Sequence, residues 1–152
     1  MVLSAQTIRQ FSVSGNGLVS PLNESSKDGF GNSIGLSACG VDITLAEQIT
    51  LYNGCFVLAS ALERFNLPDN IVGVVHDKSS LARRGLLVQN TVLEPGWRGY
   101  LTLEITYHNL ELLKMEPGWA IAQVIFHQLD RPTEIPYNGK YQDQNQGPQR
   151  AR

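Results

Sequence analysis

Two short segments hold residue types that could do chemistry together. Lys78-Ser79-Ser80-Leu81-Ala82-Arg83 sets two hydroxyls at the start of a short helical stretch, with a cation on either side. That combination suits phosphate oxygens. Taken alone, it reads equally as ordinary serine capping of a helix. Residues 101–108 alternate strictly: Leu101, Leu103, Ile105 and Tyr107 share one face of a strand, and Thr102, Glu104, Thr106 and His108 share the other. Glu104 therefore projects away from an apolar layer. It is either a solvated carboxylate or a general base facing a pocket, its pKa raised by partial desolvation and checked by a cation such as Arg83. Gln123 interrupts a run, Trp119 to Phe126, that is otherwise apolar on both faces. Its amide must find partners in the backbone or in a ligand.

Other chemistries are excluded by what is missing. His76, His108 and His127 have no Cys or His partner at metal spacing. Zinc-dependent deamination uses His-x-Glu followed by Pro-Cys-x-x-Cys, and neither occurs. There is no Gly-Lys-Ser/Thr phosphate loop and no Gly-x-Ser-x-Gly elbow. The net charge is -2 and no stretch concentrates Lys or Arg, which argues against tracking a nucleic-acid backbone. Any phosphate must be held by local groups. Residues 1–10 lack the apolar run of a signal peptide, and no segment reaches the roughly 20 apolar residues of a membrane span. A soluble cytoplasmic protein that avoids membranes is expected. Cys39 and Cys55 sit in apolar surroundings and read as two buried thiols.

The elements that must position these residues read as mainly β. With 152 residues, 42% of them hydrophobic, the chain suits one domain with a modest core. Ser4 can cap a short helix over residues 5–11, with Ile8 and Phe11 on one side. From Ser14 to Ser37, Gly, Ser and Asn dominate, which predicts loops and short extended pieces. Short apolar runs then follow at residues 41–45, 54–62, 71–75, 86–88, 99–107 and 119–129, the pattern of an all-β sandwich or barrel. Glu94-Pro95-Gly96-Trp97 and Glu116-Pro117-Gly118-Trp119 each precede a strand and suit type II turns. Residues 79–84 are the one helical break in the β region, stopped by Gly85. Residues 138–152 are rich in Gln and apolar only at Tyr141 and Ala151, so this tail cannot order by itself.

Taken in order, these pieces resemble the dCTP deaminase family of the dUTPase-like superfamily over nearly the whole chain. The residues that carry the resemblance are Met1-Val2-Leu3-Ser4 with Ile8, Cys39 to Ile43, Leu62 to Pro68, Ser79 to Arg83, Pro95-Gly96-Trp97 with Leu103-Glu104, Ala122-Gln123, and Gly139 to Gln144 with Gly147-Pro148. The resemblance implies a distorted jelly-roll or β-barrel with a short N-terminal helix, one domain over residues 1–152, and a flexible tail over 138–152 that closes over the nucleotide. It implies a homotrimer with sites between subunits, acting on a deoxynucleoside triphosphate. Glu104, Arg83 and Ser79 fall on the catalytic positions. Lys78, Ser80, Gln123, Lys140, Tyr141 and Gln144 fall on the triphosphate, while Thr91, Glu94 and Trp97 complete the substrate-binding set. Mg²⁺ is expected through the substrate's triphosphate.

Two departures and two alternatives come with the resemblance. Lys78 stands where the family signature has Arg, keeping the charge but losing bidentate geometry. The stretch between Gly85 and Pro95, which lines the pyrimidine in the family, is about two residues shorter than usual. In dUTPases the position matching Glu104 is usually apolar and a water-activating Asp aligns near Glu94, whereas this chain has a carboxylate at both. A dUTPase, or a bifunctional enzyme giving dUMP and pyrophosphate, is therefore the runner-up to a deaminase, and a non-catalytic nucleotide-binding relative is a further alternative.

Overall fold

In a computed structural model, which describes residues 1–14, 17–89 and 91–151, the apolar runs become strands. Arg152, the last residue of the expected tail, and Asn90 in the shortened hairpin lie outside the described residues. Helix α1 (Ala5–Val13) is followed by β1 (Val19–Ser20), β2 (Ser26–Lys27), β3 (Ser33–Ile34), β4 (Gly40–Thr44), β5 (Ile49–Leu51) and β6 (Phe56–Asn66). Then come β7 (Ile71–Asp77), the one-turn helix α2 (Ser79–Ala82), β8 (Leu86–Val88), β9 (Val92–Leu93), β10 (Arg98–Tyr107), β11 (Leu113–Met115) and β12 (Ala120–Gln128).

Two four-stranded sheets carry the fold, ordered β1-β6-β10-β8 and β4-β12-β7-β9. Two-stranded pairs β11-β5 and β2-β3 complete it. The strands pair antiparallel, and neighbours within both large sheets are non-consecutive in sequence. Both sheets send side chains into one apolar cluster. Ile43, Ile71, Val75, Val124 and Phe126 come from one sheet, and Ala59, Phe65, Leu103 and Ile105 from the other. A bridge between Leu45 and Ala61 ties the sheets together at one edge. The result is the curled, mainly β architecture with a short N-terminal helix that the patterning predicts.

Local chemistry explains the joints. Helix α1 runs to Val13, with Ile8 buried and Phe11 packed against the core. The Ser4 hydroxyl lies 3.1 Å from that of Thr7 and leaves the backbone uncapped. Both Pro-Gly turns close as type II turns: Gly96 (φ 86) and Gly118 (φ 80) take the left-handed position. Trp97 N–H donates to Glu94 O at 3.0 Å and Trp119 N–H to Glu116 O at 3.2 Å. Gly85 (φ 85) ends α2 and turns the chain into β8. The expectation of two buried thiols holds for Cys55 and fails for Cys39, which is exposed because it lies in the turn before β4, outside the apolar layer.

A carboxylate spans the two sheets inside the core. Glu63 on β6, 4% exposed, accepts the Thr44 N–H at 2.9 Å and the Thr44 hydroxyl at 2.6 Å from β4. Burial pushes its pKa up, and the two hydrogen bonds oppose that shift. Glu63→Leu strands both Thr44 donors among apolar side chains. It is expected to lower the unfolding free energy by about 2–4 kcal/mol. Urea unfolding at neutral pH measures this, and a loss well under about 1 kcal/mol would show that water replaces the carboxylate.

Candidate active site

Strand β10 is held between β6 and β8, so its side-chain directions are fixed on both edges. Leu103 and Ile105 point into the core. Glu104 points the other way, directly across from Leu58, while its carbonyl accepts the Gln89 N–H at 2.8 Å. Its carboxyl is half-buried in a cavity of about 400 Å³. Phe56, Leu58, Leu93 and Leu101 make the apolar part of the lining, and Thr91, Glu94 and Trp97 line it from the adjoining hairpin and turn. Burial pushes the Glu104 carboxyl above the usual glutamate range, and no cation among the described residues pulls it back.

A second, more open concavity gathers Lys78, Ser79, Ser80, Arg83 and Gln123, together with Asn32 and Ser33. None of these residues lines the Glu104 cavity. Within one chain, then, Arg83 and Ser79 do not flank Glu104. Helix α2 lies where the chain crosses from the sheet of β7 to that of β8, and its polar side chains open onto the face of β12 that carries Gln123. Lys78 is committed elsewhere too: its ammonium pairs with Asp42 at 2.8 Å, both side chains largely buried. Gln123 is half-buried on the rim of this concavity, less enclosed than its apolar surroundings in sequence imply. The Ser80 hydroxyl is buried without a hydrogen-bond partner among the described residues. Cations, hydroxyls and an amide line this concavity together, a chemistry that suits an anion.

The tail forms a wall of the Glu104 cavity. It has little apolar surface of its own, and hydrogen bonds to β10 hold it. Trp97 Nε1–H donates to the Tyr141 carbonyl at 2.8 Å, and Gln142 Nε2 donates to the Gly96 carbonyl at 2.9 Å. Tyr100 N–H donates to the Gln144 carbonyl at 2.9 Å, and Gly99 and Gln144 form a parallel bridge. Gln144 Nε2 donates to Thr102 Oγ1 at 2.7 Å, and Gln149 N–H reaches the same oxygen at 3.1 Å. Arg98 pairs with Asp143 at the surface. Tyr141 and Gln144 thus line the cavity as expected. Lys140 is exposed, lines neither concavity, and holds its ammonium 5.1 Å from the Tyr141 ring. Tyr137, Gln149 and Arg150 also line the cavity and were not foreseen. A Gln-rich tail carries no periodicity that marks them. Asn32 and Ser33 were missed for a similar reason, since a polar loop gives no pattern.

A family model described as dCTP deaminase-like matches residues 38–129, more than half of the chain. The chain belongs to this family. The dCTP deaminase, dUMP-forming, of Kocuria rhizophila is 39% identical over 110 residues, covering 70% of this chain and 57% of its own length. The dCTP deaminase of Campylobacter concisus is 42% identical over 92 residues, covering 59% of this chain and 50% of its own. This chain thus spans little more than half the length of the curated relatives it matches. Among solved structures, a 2'-deoxycytidine 5'-triphosphate deaminase from Agrobacterium tumefaciens superposes with a TM-score of 0.68 at 15% identity, covering 82% of this chain and 46% of that one. A dUTPase of EIAV superposes with a TM-score of 0.55 at 24% identity, covering 66% and 84%. The fold is the dUTPase-like fold. The matched residues contain Glu104, both serines, Arg83 and Gln123, whereas the tail lies outside them.

Gly99 is where the tail can be tested. At φ 146 it faces Gln144, and an added Cβ would stand 2.7 Å from the Gln144 nitrogen. Gly99→Ala is expected to displace the tail and to speed tryptic cleavage after Lys140 by about tenfold or more, leaving the β body intact. Equal cleavage rates in variant and parent would show that the contact does not hold the tail.

Proposed function

We propose that the chain deaminates dCTP hydrolytically, without zinc, to dUTP and ammonia, as part of pyrimidine deoxynucleotide supply in the cytoplasm. The observation that carries this reading is Glu104: a half-buried carboxyl, its pKa raised by desolvation, in a largely apolar cavity on a β-strand. Such a group can serve as base and then as acid within one turnover. Glu104 takes a proton from water, the hydroxide attacks C4 of the cytosine, and the carboxyl gives that proton to N3; it then takes the proton of the new C4 hydroxyl and passes it to the amine as the C4–N bond breaks and the carbonyl forms. Water is consumed and ammonia leaves. Membership of the dCTP deaminase-like family supports the substrate.

Catalysis also needs a cation to keep Glu104 ionised and a hydrogen-bond donor at the tetrahedral centre. Arg83 and Ser79 supply these chemistries, yet in their own chain they open onto the other concavity. We therefore place them against the Glu104 of a neighbouring subunit, in a homotrimer whose head-to-tail interfaces join the two halves of each site. Lys78, Ser80 and Gln123 then face the triphosphate from one chain, and Lys140, Tyr141 and Gln144 from the tail of another. Hydroxyls, an amide and two cations suit phosphate oxygens better than a bare divalent ion, so Mg²⁺ is proposed to arrive on the substrate's triphosphate.

One further feature favours a bifunctional variant of this reading. Glu94 lines the same cavity as Glu104. A second carboxylate there can direct water at the α-phosphorus and release dUMP with pyrophosphate, and relatives named dUMP-forming accord with that. Chromatography of products from dCTP and dUTP separates the two outcomes.

Glu104→Gln is expected to cut ammonia release from dCTP by roughly 10² to 10⁴ while nucleotide binding persists. Near-parental deamination by the variant would remove Glu104 from the mechanism. Glu104→Gln and Arg83→Ala are each expected to be inactive alone. Co-expressed in equal amounts they should recover roughly a quarter of parental activity, because random head-to-tail pairing joins an intact Glu104 to an intact Arg83 at that frequency. No recovery in mixed assemblies would place both groups in one chain.

A further inference from the structure

The hairpin β2–β3 has no part in the chemistry so far, yet its end lines the anion concavity. Asn32 and Ser33 face the same space as Ser79, Ser80, Arg83 and Gln123. A loop this polar has little to hold it in place, so its anchors are informative. At its tip, Phe30 meets the Trp119 ring edge-on, with centroids 4.5 Å apart, and the Arg84 guanidinium lies 4.4 Å above the Phe30 ring. Phe30 thus stands between the residue next to Arg83 and the residue that leads into the Gln123 strand. Gly29 makes this approach possible, since an added Cβ would fall 2.1 Å from the Trp119 ring. At its base, the Gly35 N–H donates to Asp42 at 3.1 Å, and the same carboxylate holds Lys78 at 2.8 Å. Between the anchors, the Asp28 carboxylate accepts the N–H groups of Phe30 and Asn32, both at 2.9 Å, which sets the turn.

We propose that this hairpin is a wall of the phosphate subsite: the Ser33 hydroxyl and the Asn32 side chain contact the triphosphate, and Phe30 is the positioning residue that sets them there. The proposal rests on the reading of the second concavity as the triphosphate receptor. Two anchors tie the hairpin beside that concavity, at its tip to Arg84 and Trp119 and at its base to the Asp42 that holds Lys78. Neither is needed for a solvent loop on a β domain. The Ser80 hydroxyl, enclosed and without a partner among the described residues, belongs to a residue that lines the same space. Ser33 on the opposite wall is exposed and donates in the same chemical currency. The Arg84 guanidinium over the Phe30 ring and the edge-on contact with the Trp119 indole fix the wall, and the Asn32 amide is held in the turn by donating to Asp28 Oδ2 at 3.1 Å.

The test compares the full-length parent with Asn32→Asp, Ser33→Ala, Phe30→Ala and Phe30→Tyr. Asn32→Asp sets a negative charge against the phosphates and is expected to raise the KM for dCTP by about tenfold or more, with kcat within about twofold. Ser33→Ala and Phe30→Ala should shift KM the same way, and Phe30→Tyr, which keeps the ring, should restore it. Inhibition by inorganic tripolyphosphate should weaken in step with KM, while inhibition by deoxycytidine stays unchanged. If the parent turns over dCTP but Asn32→Asp and Ser33→Ala keep both the parental KM and tripolyphosphate inhibition, the hairpin assignment falls and the function stands. A parent that neither binds nor deaminates dCTP overturns both. Should Phe30→Ala fail to fold, the two tip variants decide.

Discussion

A β-strand buried on one face leaves its alternate side chains no choice of direction, and β10 is where that constraint matters most. Leu101, Leu103, Ile105 and Tyr107 are drawn into the shared core. A slip of one residue would turn these side chains outward and carry Glu104 and Thr106 into the core. Burying four large apolar side chains is worth several kcal/mol, far more than a one-residue shift could recover. Glu104 is thus aimed by its neighbours. Pairing to β6 on one edge and β8 on the other removes the remaining freedom, since both registers must fail together for the carboxyl to move.

The opposite face of β10 uses its polar residues differently at each step. Thr102 and the facing Ser60 are capped by the tail, through Gln144, Gln149 and Gly147. Glu104, two residues on, is left to the cavity. The tail therefore does more than cover: by satisfying the hydroxyls it ends the polar row at a defined place and leaves the Glu104 carboxyl to a partly apolar space. The other concavity is prepared in the opposite way. There Asp42 already neutralises Lys78. The family's Arg would present a fork to carboxylate and phosphate at once, whereas the compact ammonium of Lys78 is a point charge drawn to one partner. Arg83 and the neutral donors of Ser79, Ser80 and Gln123 carry a correspondingly larger share of anion recognition.

The strands from Gly40 onward are legible in the sequence because apolar runs broken by turn residues report burial directly. β8 falls on residues 86–88 and the two Pro-Gly turns close as their residue types demand. β5, β9 and β11 are not legible, since two or three residues hold too little pattern to separate a strand from a loop. Glu104 stands out by alternation alone, and the serine-rich turn by composition. Their separation does not, because spacing along a chain says nothing about which of two sheets a crossing helix will face. The docking of the tail is invisible for another reason: it rests on backbone and amide hydrogen bonds, for which almost any polar sequence qualifies. Cys39 shows the reverse error, where apolar neighbours in sequence are not neighbours in space.

Desolvation sets the terms on which the two halves would meet. In the single chain the Glu104 carboxyl is pushed up by burial and opposed, among the described residues, by its own backbone N–H. Its folded pKa lies above the unfolded value, so its contribution to chain stability is fully present below that unfolded value and is lost as pH rises through the folded one. A guanidinium brought against it by a second chain reverses the sign, because the ionised form then gains a partner. Assembly in the proposed trimer would release a proton from each such carboxyl, and the release favours association as pH rises from the ordinary glutamate range toward neutrality. The carboxyl whose ionisation is disfavoured in a lone chain is a more fully ionised base where the cation is present. An isolated subunit would thus hold Glu104 closer to its idle, protonated form, and the same burial that penalises the charge ties its use as a base to the assembled site.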